Sequence, residues 1–257
     1  YEINPEVPPL GKYYYGLSIK YLGNAEYGAL LLFLSSLFLF FLLVKKYIQD
    51  PILQAFAVLF FVTDPLLFYQ SRISMLDLPQ LVTLLGHMLC ILSLINNKSN
   101  ASKRLIPLVL AGVTLGMFMS IKIGALGIVI LIADVIILWK KNRIKEVIPI
   151  IIISGITYIS MYVMYFVQGH TLFEWLKAQK WMLHFYSSSL VKPVFGTVFT
   201  TLFSGRIIGW DIHAEWARVS EWTISWTTFF GASIFIAMKN VRNFKIPEGI
   251  HLYLPFI

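Results

Sequence analysis

Cysteine is nearly absent from this chain: Cys90 is the only one in 257 residues. It lies inside an apolar stretch, which excludes an internal disulfide and a zinc site built on thiolates. Charge is scarce as well. Only 13% of the residues are Asp, Glu, Lys or Arg, against roughly 25% in an ordinary soluble domain, and no soluble second domain is discernible. Internal repeats and low-complexity segments are missing, which removes solenoid and disordered architectures. No metal site is read from the sequence, and any cofactor is left unknown. There is no signal peptide and no initiator Met, and both ends read as cut from a longer protein.

What the chain has instead is apolar length. Hydrophobic residues make up 58% of it, and a bilayer-crossing helix needs about twenty mostly apolar residues. Six such stretches follow one another at about Ala25–Val44, Pro51–Tyr69, Leu78–Ile95, Leu105–Ile121, Gly124–Trp139 and Val147–Val167. The second is interrupted by Asp64-Pro65, and a seventh runs from Trp222 to Met238. Before them, Pro5, Pro8 and Pro9 oppose helix before about Leu10. Lys12 to Leu22, rich in Tyr, suits an interfacial helix. Six of the seven Trp lie between Trp175 and Trp226, as expected of a large loop resting on the membrane surface. The reading is an all-α polytopic membrane protein with about seven spans in this fragment. It comprises an extracytoplasmic segment (1–24), six transmembrane helices (25–167), a large extracytoplasmic loop (168–221), and a seventh span with the start of the next (222–257).

Charge orients these spans. Lys45-Lys46, Lys98 to Arg104, Lys140 to Lys145 and Lys239 to Lys245 hold twelve of the 21 basic residues and alternate with loops poor in Lys and Arg. Counted with Asp50, Glu146 and Glu248 they carry a net +9, and the remainder carries −1. Basic residues accumulate in cytoplasmic loops, where they meet anionic lipid. The formal charge of +8 is therefore a topology signal, and no nucleic-acid partner is expected. The sequons at Asn97 and Asn100 fall in one of these cytoplasmic loops, out of reach of glycosylation.

With that topology, the unusual polar residues gather at the extracytoplasmic ends of the helices. They are Glu6 and Lys12, then Asp64, Arg72 and Asp77, then Lys122, and in the large loop a set that includes His184. Ionisable groups at membrane depth face a protein interior or a cavity, and each has a structural reading beside the functional one. Arg72 and Asp77 either neutralise each other in a tight turn or serve a ligand. Lys122 either snorkels to the interface or offers a charge to an anion, and Asp64 with Pro65 is either a kink device or a ligand. His87, inside the third span, reads as a satisfied interhelical residue. Asp134, towards the inner end of the fifth, reads as a packing or snorkelling residue.

Particular stretches carry a family resemblance. Asn4-Pro5-Glu6-Val7-Pro8-Pro9-Leu10-Gly11-Lys12 resembles the His-Pro-Pro-Leu-Gly-Lys stretch of the protein O-mannosyltransferases, glycosyltransferase family 39 of the GT-C superfamily. Gln70-Ser71-Arg72-Ile73-Ser74-Met75-Leu76-Asp77 is similar to their Gln-Ser-Arg-Tyr-Ile-Leu-Leu-Asp, and Asp64 stands where they also carry an Asp. Leu110 to Gly116, followed by Ser120-Ile121-Lys122-Ile123-Gly124, is similar to their Leu-Thr-Gly-Val-Ala-Leu-Gly and Ser-Val-Lys-Trp-Val-Gly. The ordered set covers residues 4–130. Val7 replaces the family's His, and the later His-Pro-Tyr segment is reduced to Lys192-Pro193.

The resemblance implies a GT-C-like bundle, archaeal-like and truncated at both ends. It would transfer a sugar, mannose by family habit, from a dolichyl or other polyprenyl phosphate to a protein Ser or Thr hydroxyl on the extracytoplasmic face. It implies a substrate site drawn from Arg72, Asp77, Lys122, Glu6, Lys12, Asp64 and His184, with Arg72 and Lys122 on the donor phosphate and Asp77 holding Arg72. The family's catalytic Asp-Glu pair would precede Tyr1, so no residue of this chain is named as the base. A lipid or glycan acceptor, a non-catalytic membrane subunit and a transporter stay open as alternatives; GT-C folds serve many acceptors.

Overall fold

The computed structural model describes residues 7–96, 101–122, 124–188, 197–208, 216–220, 222–228 and 230–232. Glu6, the sequons, Lys192-Pro193 and the basic loop at 239–245 lie outside these residues, as does much of the expected seventh span. The chain divides into two compact units, one running through Trp175 and the other covering Leu176–Pro255.

Among its described residues, the regular elements of the first unit are all helices. Pro9 is followed by α1 (Leu10–Leu22), which ends at Gly23. Asn24 then starts α2 (Ala25–Tyr47) by accepting from the Glu26 amide at 2.9 Å. Two Asp-Pro pairs set the next two starts. Asp50 accepts from the Ile52 and Leu53 amides and begins α3 (Pro51–Thr63). Asp64 accepts from Leu67 N at 3.0 Å and begins α4 (Pro65–Gln70). In each case the carboxylate satisfies amides with no intrahelical acceptor, and proline is tolerated in the first turn. The second apolar stretch is therefore two helices, not one.

Next come α5 (Asp77–Asn96), α6 (Ala101–Met119) and α7 (Gly124–Lys140). A 3-10 turn at Ile144–Glu146 leads into α8 (Val147–Ser160) and α9 (Val163–Val167). The expected sixth span is thus divided at Met161-Tyr162. Among the described residues, Ala25–Tyr47 and Asp77–Asn96 are the two helices long and apolar enough to cross a membrane; Pro51–Thr63 and Arg104–Met119 are shorter apolar helices.

The core sits on α5, which packs against α2 and α6, and α6 packs in turn on α8. Leu84, Leu85, Met88, Ile91 and Leu94 of α5 are all almost fully buried. The α6/α8 crossing is close because Gly112 and Gly116 carry no side chain. A Cβ at Gly116 would stand 2.5 Å from the Ser154 carbonyl oxygen and 2.6 Å from Thr157 Cβ. Small residues at such crossings let helix backbones approach. Gly116→Ala is expected to cost about 1–3 kcal/mol, because backbone on α8 must move. Gly155→Ala, with nothing within 4 Å of the added methyl, should be neutral within about 0.5 kcal/mol. Thermal denaturation of the two variants side by side checks this.

Contacts sort the helix ends of this unit into two groups. At one end the turn before α5 meets the turn after α6, and α1 lies against both. At the other end, Arg143 donates to the Leu94 carbonyl near the end of α5. There Glu146 accepts from Arg104 at 3.4 Å and stands 3.7 Å from Arg143.

Towards the second unit, α10 (Leu172–Ser188) opens with a reciprocal cap. Glu174 N donates to Thr171 Oγ1 at 3.3 Å, and Thr171 N donates back to Glu174 Oε2 at 2.7 Å, the capping-box arrangement. The second unit also contains α11 (Thr197–Ser204) and a two-stranded antiparallel ribbon. In that ribbon β1 (Arg206–Ile208) pairs with β2 (Trp216–Arg218), Arg206 opposite Arg218. The ribbon is a small addition to a fold that is all-α, as expected. Trp222 Nε1 and Thr227 Oγ1 both donate to the Leu202 carbonyl.

Candidate functional site

Two turns far apart in sequence meet at one end of the first unit. The 71–76 turn delivers Asp77 at the start of α5, and the turn after α6 delivers Lys122. Lys122 Nζ lies 2.6 Å from Asp77 Oδ1, forty-five residues away in the chain. The side chains remain 37% and 36% exposed, so the pair is reachable from outside, and its net worth to stability is about 0–1 kcal/mol.

Arg72 does not pair with Asp77, contrary to the sequence reading. Its guanidinium lies over the Phe68 ring, 4.4 Å from the centroid, and the residue is exposed. Sequence proximity favours Asp77, but the turn between them directs Arg72 back along α4 while helix packing brings Lys122 to the carboxylate. Arg72 thus keeps its planar fork of donors on the turn that leads into Asp77.

The remaining sequence candidates are placed differently. Asp64 spends Oδ1 on the α4 cap, which is the kink-device reading. Lys12 lies on α1, directly after Gly11. His184 is exposed on α10, within the second unit. Glu6 is outside the described residues.

The α1 helix organises the two turns. Leu10 N donates to the Ser120 carbonyl at 3.0 Å, giving one of the helix's unsatisfied first amides an acceptor. Tyr15 Oη donates to the Met75 carbonyl. Tyr15 is buried with Ala29, Phe33 and Leu78. Burial first, and then the Asp77 charge, push its phenol up to about 12, so it remains an O–H donor across the physiological range.

A second polar pair lies deeper. His87 Nδ1 donates to the Ala111 carbonyl at 3.0 Å and Nε2 lies 3.0 Å from Asp134 Oδ2, with the side chains 1% and 0% exposed. Of the packing and snorkelling readings of Asp134, the structure supports packing: it is the buried partner of His87, tying α5 and α7 together beside α6. A depth count would have found it. His87 is ten residues beyond Asp77 and Asp134 ten beyond Gly124. At 1.5 Å per residue both lie roughly 15 Å from the same end.

A family model described as dolichyl-phosphate-mannose-protein mannosyltransferase matches residues 11–183. No curated protein matches the chain, and no solved structure does.

Proposed function

Because the chain belongs to the dolichyl-phosphate-mannose-protein mannosyltransferase family of membrane glycosyltransferases, we propose that the Asp77–Lys122 end of the first unit is the extracytoplasmic site where it receives a polyprenyl-phosphate mannose. The observation that carries this reading is the exposed ion pair at 2.6 Å between two distant turns, with Arg72 on one of them. The basic loops at the opposite helix ends support the sidedness.

In this reading the lipid tail stays in the bilayer and the phosphate lies at the interface. An acceptor Ser or Thr hydroxyl attacks the anomeric carbon from the face opposite the phosphate. The O–H bond breaks, the new C–O bond forms, and the bond from the anomeric carbon to the phosphate oxygen breaks. Lipid phosphate leaves with the bonding pair, and a base outside the residues assigned here accepts the proton. Negative charge grows on the phosphate oxygens along this path. Lys122 supplies a point charge and Arg72 a bidentate fork for them. Asp77 holds the Lys122 ammonium in place until the donor arrives.

The test is turnover of the purified full-length protein on a Ser/Thr peptide, with each donor supplied separately. Mannose transfer is expected from dolichyl-phosphate mannose and not from GDP-mannose. Equal turnover with GDP-mannose in the absence of lipid carrier would overturn the reading.

A further inference from the structure

We propose that α1 is a clamp whose Gly11 and Tyr15 act as positioning residues, locking the two turns together so that Asp77 and Lys122 meet. The inference rests on the reading of that pair as the donor site. Three independent contacts join α1 to the turns. The Leu10 amide is bonded to the Ser120 carbonyl, two residues before Lys122. The Tyr15 hydroxyl is bonded to the Met75 carbonyl, two residues before Asp77. Gly11 is wedged between the turns themselves: a Cβ there would stand 2.4 Å from Leu76 Cδ2 and 3.3 Å from Ile121 Cγ2.

Each contact falls on a residue one or two positions before a charged one, so a shift in α1 reaches the charges through a short stretch of chain. Leu10, Ser120, Ile121 and Leu78 are all buried, and the clamp closes in a packed setting. The ion pair is part-buried and contributes only about 0–1 kcal/mol by itself. Packing of α5 on α6 brings the two turns side by side, and α1, which touches both, fixes how they meet. A displacement of about 1 Å away from the reacting atoms can lower a rate about a hundredfold.

The experiment compares wild type, Tyr15→Phe, Gly11→Ala and Gly11→Ala/Leu76→Ala in the full-length protein. Hydrogen exchange is read over residues 71–77 and 117–122, beside donor-dependent turnover and the donor KM. Tyr15→Phe keeps the buried ring and removes only the hydroxyl. It should speed exchange in the 71–77 turn and lower kcat about tenfold. Gly11→Ala should speed exchange in both turns and lower kcat at least as much. Deleting the Leu76 methyls makes room for the new Cβ, so the double variant should regain several-fold of the lost turnover, which a merely destabilised protein would not do.

Unchanged exchange in both turns for Gly11→Ala would overturn the clamp whatever the enzyme's substrate. Faster exchange with unchanged kcat would overturn the positioning role and leave the donor site standing. Wild-type protein inert towards the lipid donor would instead defeat the reading of the site, while the exchange data still decide whether α1 holds the turns.

Discussion

Asp134→Ala is expected to destabilise the protein by about 3–5 kcal/mol, the usual cost of removing one partner from a buried ion pair. The substitution removes the carboxylate that stands 3.0 Å from His87 Nε2, in a ring only 1% exposed. His87→Ala should be similarly damaging, because it takes the ring away from the Asp134 carboxylate, fully buried on α7. The double replacement His87→Leu/Asp134→Leu removes both polar groups together and should recover most of the loss, since apolar substitutes for a complete buried pair are often neutral or better. Thermal unfolding of the two single variants and the double one gives the coupling directly. Single variants within about 1 kcal/mol of wild type would show that the pair is not a structural tie.

Lys122→Met should do the opposite, sparing stability and removing activity. More than a third of each side chain in the Asp77–Lys122 pair is exposed, so breaking it should move stability by no more than about 1 kcal/mol. Loss of a cation that neutralises the departing phosphate should lower donor-dependent turnover about a hundredfold. Arg72→Lys keeps charge but loses the bidentate fork, and about a tenfold loss is expected, equivalent to about 1.4 kcal/mol in the barrier. Asp77→Asn discriminates between roles. If Lys122 existed only to satisfy Asp77, Asp77→Asn and Lys122→Met would have equal effects. If Lys122 serves phosphate, Asp77→Asn should retain far more turnover. Equal turnover in wild type and Lys122→Met would return this lysine to the role of an interfacial anchor.

Sequence reasoning went furthest where the signal is local. The interruption at Asp64-Pro65 was legible, and its chemistry, a carboxylate acceptor and a proline before orphan amides, is complete within four residues; the same chemistry at Asp50-Pro51 was not read. Asp77 and Lys122 were legible as sharing one end because alternation of basic loops fixes which ends belong together. Partner choice was not legible. Arg72 is five residues from Asp77, yet the carboxylate takes Lys122, since the match is made by α5 packing on α6. The break between α8 and α9 carries neither proline nor glycine, and nothing local marks it. The ribbon at Arg206–Ile208 and Trp216–Arg218 was missed because three-residue strands offer too few positions for a period of two to be read.

The contacts of Arg143 carry a consequence for how this protein's orientation can be mapped. Basic loops are commonly stripped of charge to see whether a protein inserts the other way round. Here one of those charges also closes the carbonyl end of a buried helix and shares Glu146 with Arg104. Its neighbours Lys140 and Lys141 are exposed. An orientation-reversal experiment that neutralises Arg143 would therefore mix two outcomes, a flipped protein and a loosened one, and degradation of the second could pass for the first. Neutralising Lys140 and Lys141 while keeping Arg143 separates what the insertion machinery counts from what the folded bundle needs.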